Sequence, residues 1–196
     1  MSINVISIAG RAGSGKDTAA DYLVSNRNYI KYNLALPIKK ALNAMFGWSM
    51  DLWENREWKE TVIPRYGKSP RFMAQTLGTE WGREWITPEI WLLMAEEFIE
   101  SISANYENCE GVVIPDLRFD NEAEFLKHKL RHNDHVNKTA VFEIWRYDVI
   151  KIDNYYHSSE NGVSDFYTDE FIRNNGTLNN LEKAIIYAER DINNEI

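Results

Sequence analysis

Apolar residues along this chain fall in short dense runs separated by longer amphipathic stretches, the pattern of buried strands joined by surface helices. The first run, Ile3, Val5, Ile6 and Ile8, stops at Gly10 and predicts a strand buried on both faces. Helical character follows in Ala19, Ala20, Tyr22, Leu23 and Val24. Tyr29 to Leu34 alternates weakly and predicts a second strand; Pro37, whose fixed φ suits a first helical turn, then opens a helix reaching Phe46. Thr87 and Pro88 begin another helix, with Trp91, Ala95, Phe98 and Ile102 on one face. Gly111 to Ile114 and Ala140 to Trp145 predict two more buried strands. Between them Asp120 is a candidate N-cap, and Lys127, Lys129 and Arg131 crowd the helix end where the dipole favours cations. Phe171 and Ile172 make a short last strand, and Asn174, Asn175 and Gly176 a turn. Thr177 caps a final helix whose buried stripe is Leu178, Leu181, Ile185, Ala188 and Ile192.

The segment joining the first strand to its helix carries the most specific chemistry. Gly10 through Lys16 matches G-x-x-x-x-G-K, a phosphate-binding loop. Gly10, Gly13 and Gly15 lack the Cβ atoms that would keep backbone amides from a phosphate, Lys16 supplies a cation, and the helix N-terminus points at the same anion. A glycine-rich turn that binds nothing is the plain alternative, but strand, loop and helix come in the order the motif requires. Asp17 stands where Ser or Thr usually holds magnesium, and Thr18 is one place late. Asp17 has three open roles: to coordinate magnesium or its water, to cap helix amides, or to deprotonate a hydroxyl acceptor. The strand Gly111 to Ile114 runs into Pro115, Asp116, Leu117 and Arg118, an apolar strand ending in a carboxylate that can meet magnesium at the sheet edge. Arg146 emerges in the same way after the strand ending at Trp145.

Composition narrows the classes. At 196 residues and 44% hydrophobic content the chain can bury one sizeable core. A net charge of -8 opposes sequence-independent nucleic-acid binding. The single cysteine, Cys109, excludes an internal disulfide and suits a reducing compartment. No apolar run spans a membrane and no leader is visible, so a cytoplasmic location is expected. Six of the seven tryptophans lie between Trp48 and Trp91, among Arg56, Lys59, Arg65, Lys68, Arg71 and Arg83. Aromatic faces can stack on a base while arginine forks grip a phosphate, which makes this stretch an acceptor-site candidate. The plainer reading is a helical core filled by tryptophan. His128, His132 and His135 sit at a polar, basic helix end and read as solvated surface, not a zinc site. From Tyr147 to Thr168 the chain is polar and aromatic, with His157, Ser158, Ser159, Glu160 and Gly162, a length that suits a lid.

Taken together, GRAGSGKDT, ALPIKKAL, QTLGTEWGR with PEIW, IPDLRFDNEAE, HSSE and IRNNGTLNNLEKAI, in this order, resemble the bacteriophage deoxynucleoside monophosphate kinase family, a branch of the P-loop monophosphate kinases. The resemblance implies an α/β P-loop kinase fold: one domain over residues 1–196, a five-stranded parallel sheet with helices on both faces, a helical acceptor-binding insert at about 37–105 and a lid at about 146–168. It implies ATP with Mg2+ as donor and a deoxynucleoside monophosphate as acceptor, with no nucleic-acid or membrane partner and a homodimer allowed. Carried over by position, the catalytic residues are Lys16, Asp116, Arg118 and Arg146. ATP falls to Arg11, Ala12, Gly13, Ser14, Gly15, Lys16, Asp17 and Thr18, with Asn174 and Gly176 at the adenine end, and magnesium to Asp17, Thr18 and Asp116. The acceptor falls to Lys39, Arg71, Gln75, Thr79, Trp81, Arg83, Trp91, Arg118, Trp145 and Glu160. A wall excluding the ribose hydroxyl would come from Trp81, Trp85 or Trp91. Two rivals remain: a kinase of another small metabolite, with Asp17 as base, and a nucleotide-binding module without catalysis.

Overall fold

A computed structural model of the chain describes residues 2–147 and 163–194. His157, Ser158, Ser159, Glu160 and Gly162, with most of the expected lid, lie outside the described residues. The chain divides into two compact units, Met1–Asn33 with Ala95–Ile196, and Leu34–Met94.

The first unit is built on a five-stranded sheet in the order β2-β3-β1-β4-β5. Its strands are β1 (Ile3–Ala9), β2 (Tyr29–Lys31), β3 (Gly111–Leu117), β4 (Val136–Trp145) and β5 (Glu170–Arg173), and every pairing is parallel. All seven residues of β1 are buried, as its nearly continuous apolar run requires of a central strand covered on both faces. Ile6, Ile8, Val113, Phe142 and Ile144 form the core on one face. They pack on Ala19, Ala20 and Leu23 of α1 (Lys16–Arg27) and on Leu181, Ile185 and Ala188 of α7 (Leu178–Asn194). Arg27 and Glu189 join α1 to α7 at 2.8 Å, and Glu189 is only 1% exposed, so its charge is paired as burial demands.

The register from β1 to β3 slips between Ser7↔Ile114 and Ala9↔Leu117, leaving one extra residue on β3 at Pro115 and Asp116. Proline has no N–H to give the ladder, so the bulge falls there, and Asp116 is left half-buried between two buried neighbours.

Several elements differ in extent from expectation. β2 ends at Lys31; Tyr32 and Leu34 are buried beyond it, so the alternation marks burial and not ladder pairing. β4 begins at Val136, earlier than its apolar run. Phe119, not Asp120, occupies the N-cap of α6 (Asp120–Glu124). Asp120 instead accepts the Ser164 amide at 2.7 Å, while buried Glu122 takes the amides of Arg118 and Phe119 at 2.9 and 3.2 Å. Of the three histidines beyond, His128 and His132 are exposed, whereas His135 is half-buried and shares a hydrogen bond with Ser103 at 3.2 Å.

The second unit is helical: α2 (Leu36–Phe46), a 3-10 turn Met50–Glu54, α3 (Arg56–Glu60), α4 (Pro70–Thr76), a π-helical stretch Leu77–Ile86, and the first turn of α5 (Ile90–Asn105). Its core is Ile38, Leu42, Trp53, Ile90 and Trp91, with Trp48, Trp58, Met73 and Leu77 packed on it. Trp48, Trp53 and Trp58 meet edge to face at 5.1 to 6.1 Å, so these three follow the plainer reading and fill a core. No described helix is long and apolar enough to cross a membrane.

Candidate active site

At the carboxyl end of β1 the chain must turn sharply into α1, and glycine makes the turn possible. Gly10, Gly13 and Gly15 have φ of 135°, 80° and 105°, in the region side chains avoid. A Cβ on Gly10 would collide with the Ile144 carbonyl of β4, and one on Gly15 with the Asn174 amide. Gly15 is the N-cap of α1 and no side chain caps the first amides. Those donors are therefore left for an anion. Ser14 Oγ is buried and has no hydrogen-bond partner among the described residues, a second group suited to a phosphate oxygen. Lys16 folds back over the loop and donates to the Arg11 carbonyl at 3.1 Å. Arg11 is half-buried; Ala12, Gly13, Asp17 and Thr18 are exposed.

Asn174, which follows β5, braces this loop. Its amide donates to the Ser14 carbonyl at 2.8 Å, and its backbone N–H bonds Trp145 at 2.7 Å. Beside it Arg146, Tyr147, Asn174, Asn175 and Gly176 line a cavity of about 280 Å³. Asn174 and Gly176, Arg146 and the phosphate loop thus gather at one edge of the sheet, where the winding reverses about β1 and where ligands of open α/β sheets bind. A larger cavity of about 400 Å³ lies at the opposite, amino edge, among Glu96, Glu100, His132 and His135. None of the loop residues contributes to it.

The carboxylates near the loop have distinct surroundings. Asp17 and Asp21 both pair with Lys31, at 3.1 and 3.0 Å. Burial acts to lower the Lys31 ammonium, and its hydrogen bonds to Asp21 and Asp17 overcome that, leaving it above the usual lysine range. Asp116, at the bulge, stands close enough to Tyr32 to contribute, after burial, to pushing that phenol up to about 12. Glu143 gave no signal in the sequence, being one acidic residue inside an apolar run. It is buried on β4 opposite Ala9 of β1; burial raises its carboxyl, a hydrogen bond from Trp145 opposes this, and Asp165 adds to it. Trp145 itself is 49% exposed, and Arg118 and Arg146 are exposed.

Magnesium can be tested against these donors. Among the described residues no group of three or more carboxylates, histidines or cysteines could hold a metal by itself. One carboxylate, Asp116, suits Mg2+, which keeps its waters and is bound through one or two carboxylates together with substrate phosphates. Asp17 already has a cation beside it.

In the second unit Lys39 is half-buried, and Arg71, Gln75, Thr79 and Trp81 are exposed. Burial lowers the Lys59 ammonium; the charges of Arg71 and Lys39 act in the same direction and those of Glu54 and Glu60 against it, so Lys59 lies among cations and carboxylates together. Arg71 also pairs with Glu60 at 2.7 Å. Lys59 was one basic residue among many in the sequence; only the fold sets it near Arg71 and Lys39. Trp91 is 4% exposed, and its indole donates to the Gly78 carbonyl at 2.8 Å, so its ring is packing. Arg83 is half-buried. Trp85, at 75% exposed, and Trp81, at 41%, present open aromatic surface.

Comparison with known proteins gives a consistent result. The family model described as deoxynucleotide monophosphate kinase matches residues 4–63 and 62–185. A protein of Acanthamoeba polyphaga mimivirus, described as a candidate deoxynucleotide monophosphate kinase, is 30% identical over 170 residues, covering 76% of this chain and 88% of that one. The deoxynucleoside-5'-monophosphate kinase of Escherichia phage T5 is 33% identical over 122 residues, covering 60% of this chain and 44% of that longer one. The deoxynucleotide monophosphate kinase of Enterobacteria phage T4 is 47% identical over 45 residues, 23% of this chain and 19% of that one.

Proposed function

The chain belongs to the deoxynucleotide monophosphate kinase family, and from that membership we propose that it transfers the γ-phosphoryl group of ATP to a deoxynucleoside monophosphate, releasing ADP and a deoxynucleoside diphosphate. The observation that carries the donor half is the loop after β1. Three glycines at positive φ, uncapped α1 amides, an unpartnered buried Ser14 hydroxyl and Lys16 make a cradle for a polyanion. The neighbouring cavity at Asn174 and Gly176 suits the adenine end.

Phosphoryl transfer asks for two nucleotides held in line and for positive charge around the moving group. Lys16, Arg118 and Arg146 supply that charge. Magnesium, arriving with the triphosphate, would neutralise developing charge and be held through Asp116, with Thr18 within the same helical turn as the loop. A monophosphate acceptor is already an anion and needs no general base. The nearness of the Arg71 and Lys39 charges to Lys59, though Glu54 and Glu60 offset them in part, supports a site for its phosphate in the helical unit. Trp81 and Trp85 are the surfaces for base and sugar there, while Trp91 holds the unit together. Gln75, Thr79 and Arg83 complete the acceptor set, and Trp145 belongs with Arg146 at the end of β4. Glu160 lies outside the described residues.

The test is ADP release from ATP and magnesium, measured against a panel of deoxy- and ribonucleoside monophosphates. ADP is expected only when a monophosphate is present. Steady release without acceptor would make the protein an ATPase. An apolar wall rejects an added hydroxyl by only about 10²-fold, so deoxynucleotides should be preferred with residual ribonucleotide activity. Equal kcat/KM for the two sugars would refute the deoxy assignment and leave a general monophosphate kinase.

A further inference from the structure

Asp17 is an unexpected group beside a phosphate loop. It follows Lys16 in the first turn of α1, where the helix dipole favours an anion and where a nucleotide brings several negative charges of its own. The Asp17 side chain is 71% exposed in the first turn of α1, whose N-cap is Gly15. One cation meets it: Lys31, the last residue of β2, places Nζ 3.1 Å from Asp17 and 3.0 Å from Asp21, one turn further along α1. The lysine is 27% exposed against 71% and 65% for its partners, so the ammonium lies on the inner side of the trio. Its origin is fixed by the ladder, where Lys31 pairs in register with Val113 of β3. Ion pairs at the surface contribute little to stability, so fold stability does not account for the arrangement.

We propose that Lys31 is a positioning residue for the phosphate donor: it neutralises Asp17 and turns that carboxylate away, so that the loop presents net positive charge to ATP. Asp21 anchors the lysine from the other side. An ammonium already on the carboxylate also competes with a metal ion for it, which leaves Asp116 as the magnesium-side carboxylate. The inference rests on the donor-site reading given above.

Equilibrium binding of ATP, with magnesium and with EDTA, tests it on Lys31→Met, Lys31→Arg, and the double variant Lys31→Met with Asp17→Asn. An uncompensated unit charge a few ångströms from the phosphates should weaken binding of Lys31→Met about tenfold in both conditions. Lys31→Arg keeps the charge and should bind within about threefold of the parent. The double variant, from which both charges are gone, should recover to the same range, a rescue that a merely structural lysine would not give. If the double variant binds as weakly as Lys31→Met, or if Asp17→Asn alone loses ATP only in the presence of magnesium, the inference is overturned and Asp17 is a metal-side ligand. Turnover of Lys16→Met separates the two levels. Normal turnover there removes the donor-site reading itself, whereas an inactive Lys16→Met beside a Lys31→Met protein that binds ATP like the parent refutes only the role of Lys31.

Discussion

Gly82→Ala probes the helical unit proposed to take the acceptor, without touching the phosphate loop. Gly82 sits in the π-helical stretch against the face of Trp91, and an added Cβ would lie 2.5 Å from Cζ2, 2.9 Å from Cε2 and 3.1 Å from Nε1 of that ring. The ring has little room to withdraw: it is 4% exposed and tied through Nε1 to the Gly78 carbonyl at 2.8 Å. Overpacking of this kind costs about 1–3 kcal/mol. Displacing the indole adds about 1 kcal/mol for the lost hydrogen bond. Against this, alanine is favoured over glycine in a helix by roughly 1 kcal/mol. The net loss is about 1–3 kcal/mol, which for a chain of this size lowers Tm by roughly 3–10 °C. Thermal melting followed by circular dichroism measures it, with near-ultraviolet signals reporting the Trp91 environment. The acceptor KM should rise while ATP binding holds. Gly67→Ala is the control, because no atom lies within 4 Å of its Cβ and only the strain of a positive φ remains. A Gly82→Ala protein that melts within 1 °C of the parent (against the roughly 3–10 °C expected), with an unchanged Trp91 signal, would refute the packing argument.

Lys16→Met should reduce turnover by at least ~10²-fold with the fold intact, since in the proposed mechanism its charge acts on the moving phosphoryl group; steady-state rates on a protein of parental circular dichroism check this. Asn174→Ala removes the 2.8 Å hydrogen bond that braces the Ser14 carbonyl and should raise the ATP KM about 3–10-fold with kcat nearly unchanged, read from initial rates at varied ATP. Alkaline pH should destabilise the fold through Tyr32. Its phenol is pushed up to about 12 from 10.0 by burial, then by Asp116 and Glu97, so the neutral form is favoured in the folded chain; this contribution is complete below pH 10 and is lost as pH climbs towards 12. Melting temperatures across that range should fall, and the fall should be shallower in Tyr32→Phe; an identical slope in that variant would show that Tyr32 does not contribute.

Residues close together in the chain carried most of what the sequence could say. The spacing from Gly10 to Lys16 determined a loop between strand and helix, because glycine at those positions acts on its own backbone and the apolar run before it specifies a central strand. Pro115 with Asp116 read as the end of a strand, but β3 runs on to Leu117; the missing N–H of proline makes a bulge there and not a stop. Other features depended on which distant segments meet. A tryptophan in an amphipathic helix carries no label for core or ligand, and Trp91 became core because Gly82 leaves space for its ring and the Gly78 carbonyl accepts its indole N–H. Lys59 stood out from the other basic residues only when the fold buried it in part and set Arg71, Glu54, Lys39 and Glu60 around it. The burial of Glu143 came from its place in β4 opposite Ala9. The ion pair of Asp17 with Lys31, fourteen residues on, could not be read from the sequence, because it depends on the β2–β3 register carrying Lys31 to the first turn of α1. Local backbone geometry is set by neighbouring residues, whereas the charge and exposure of a side chain are set by whatever the tertiary structure packs against it.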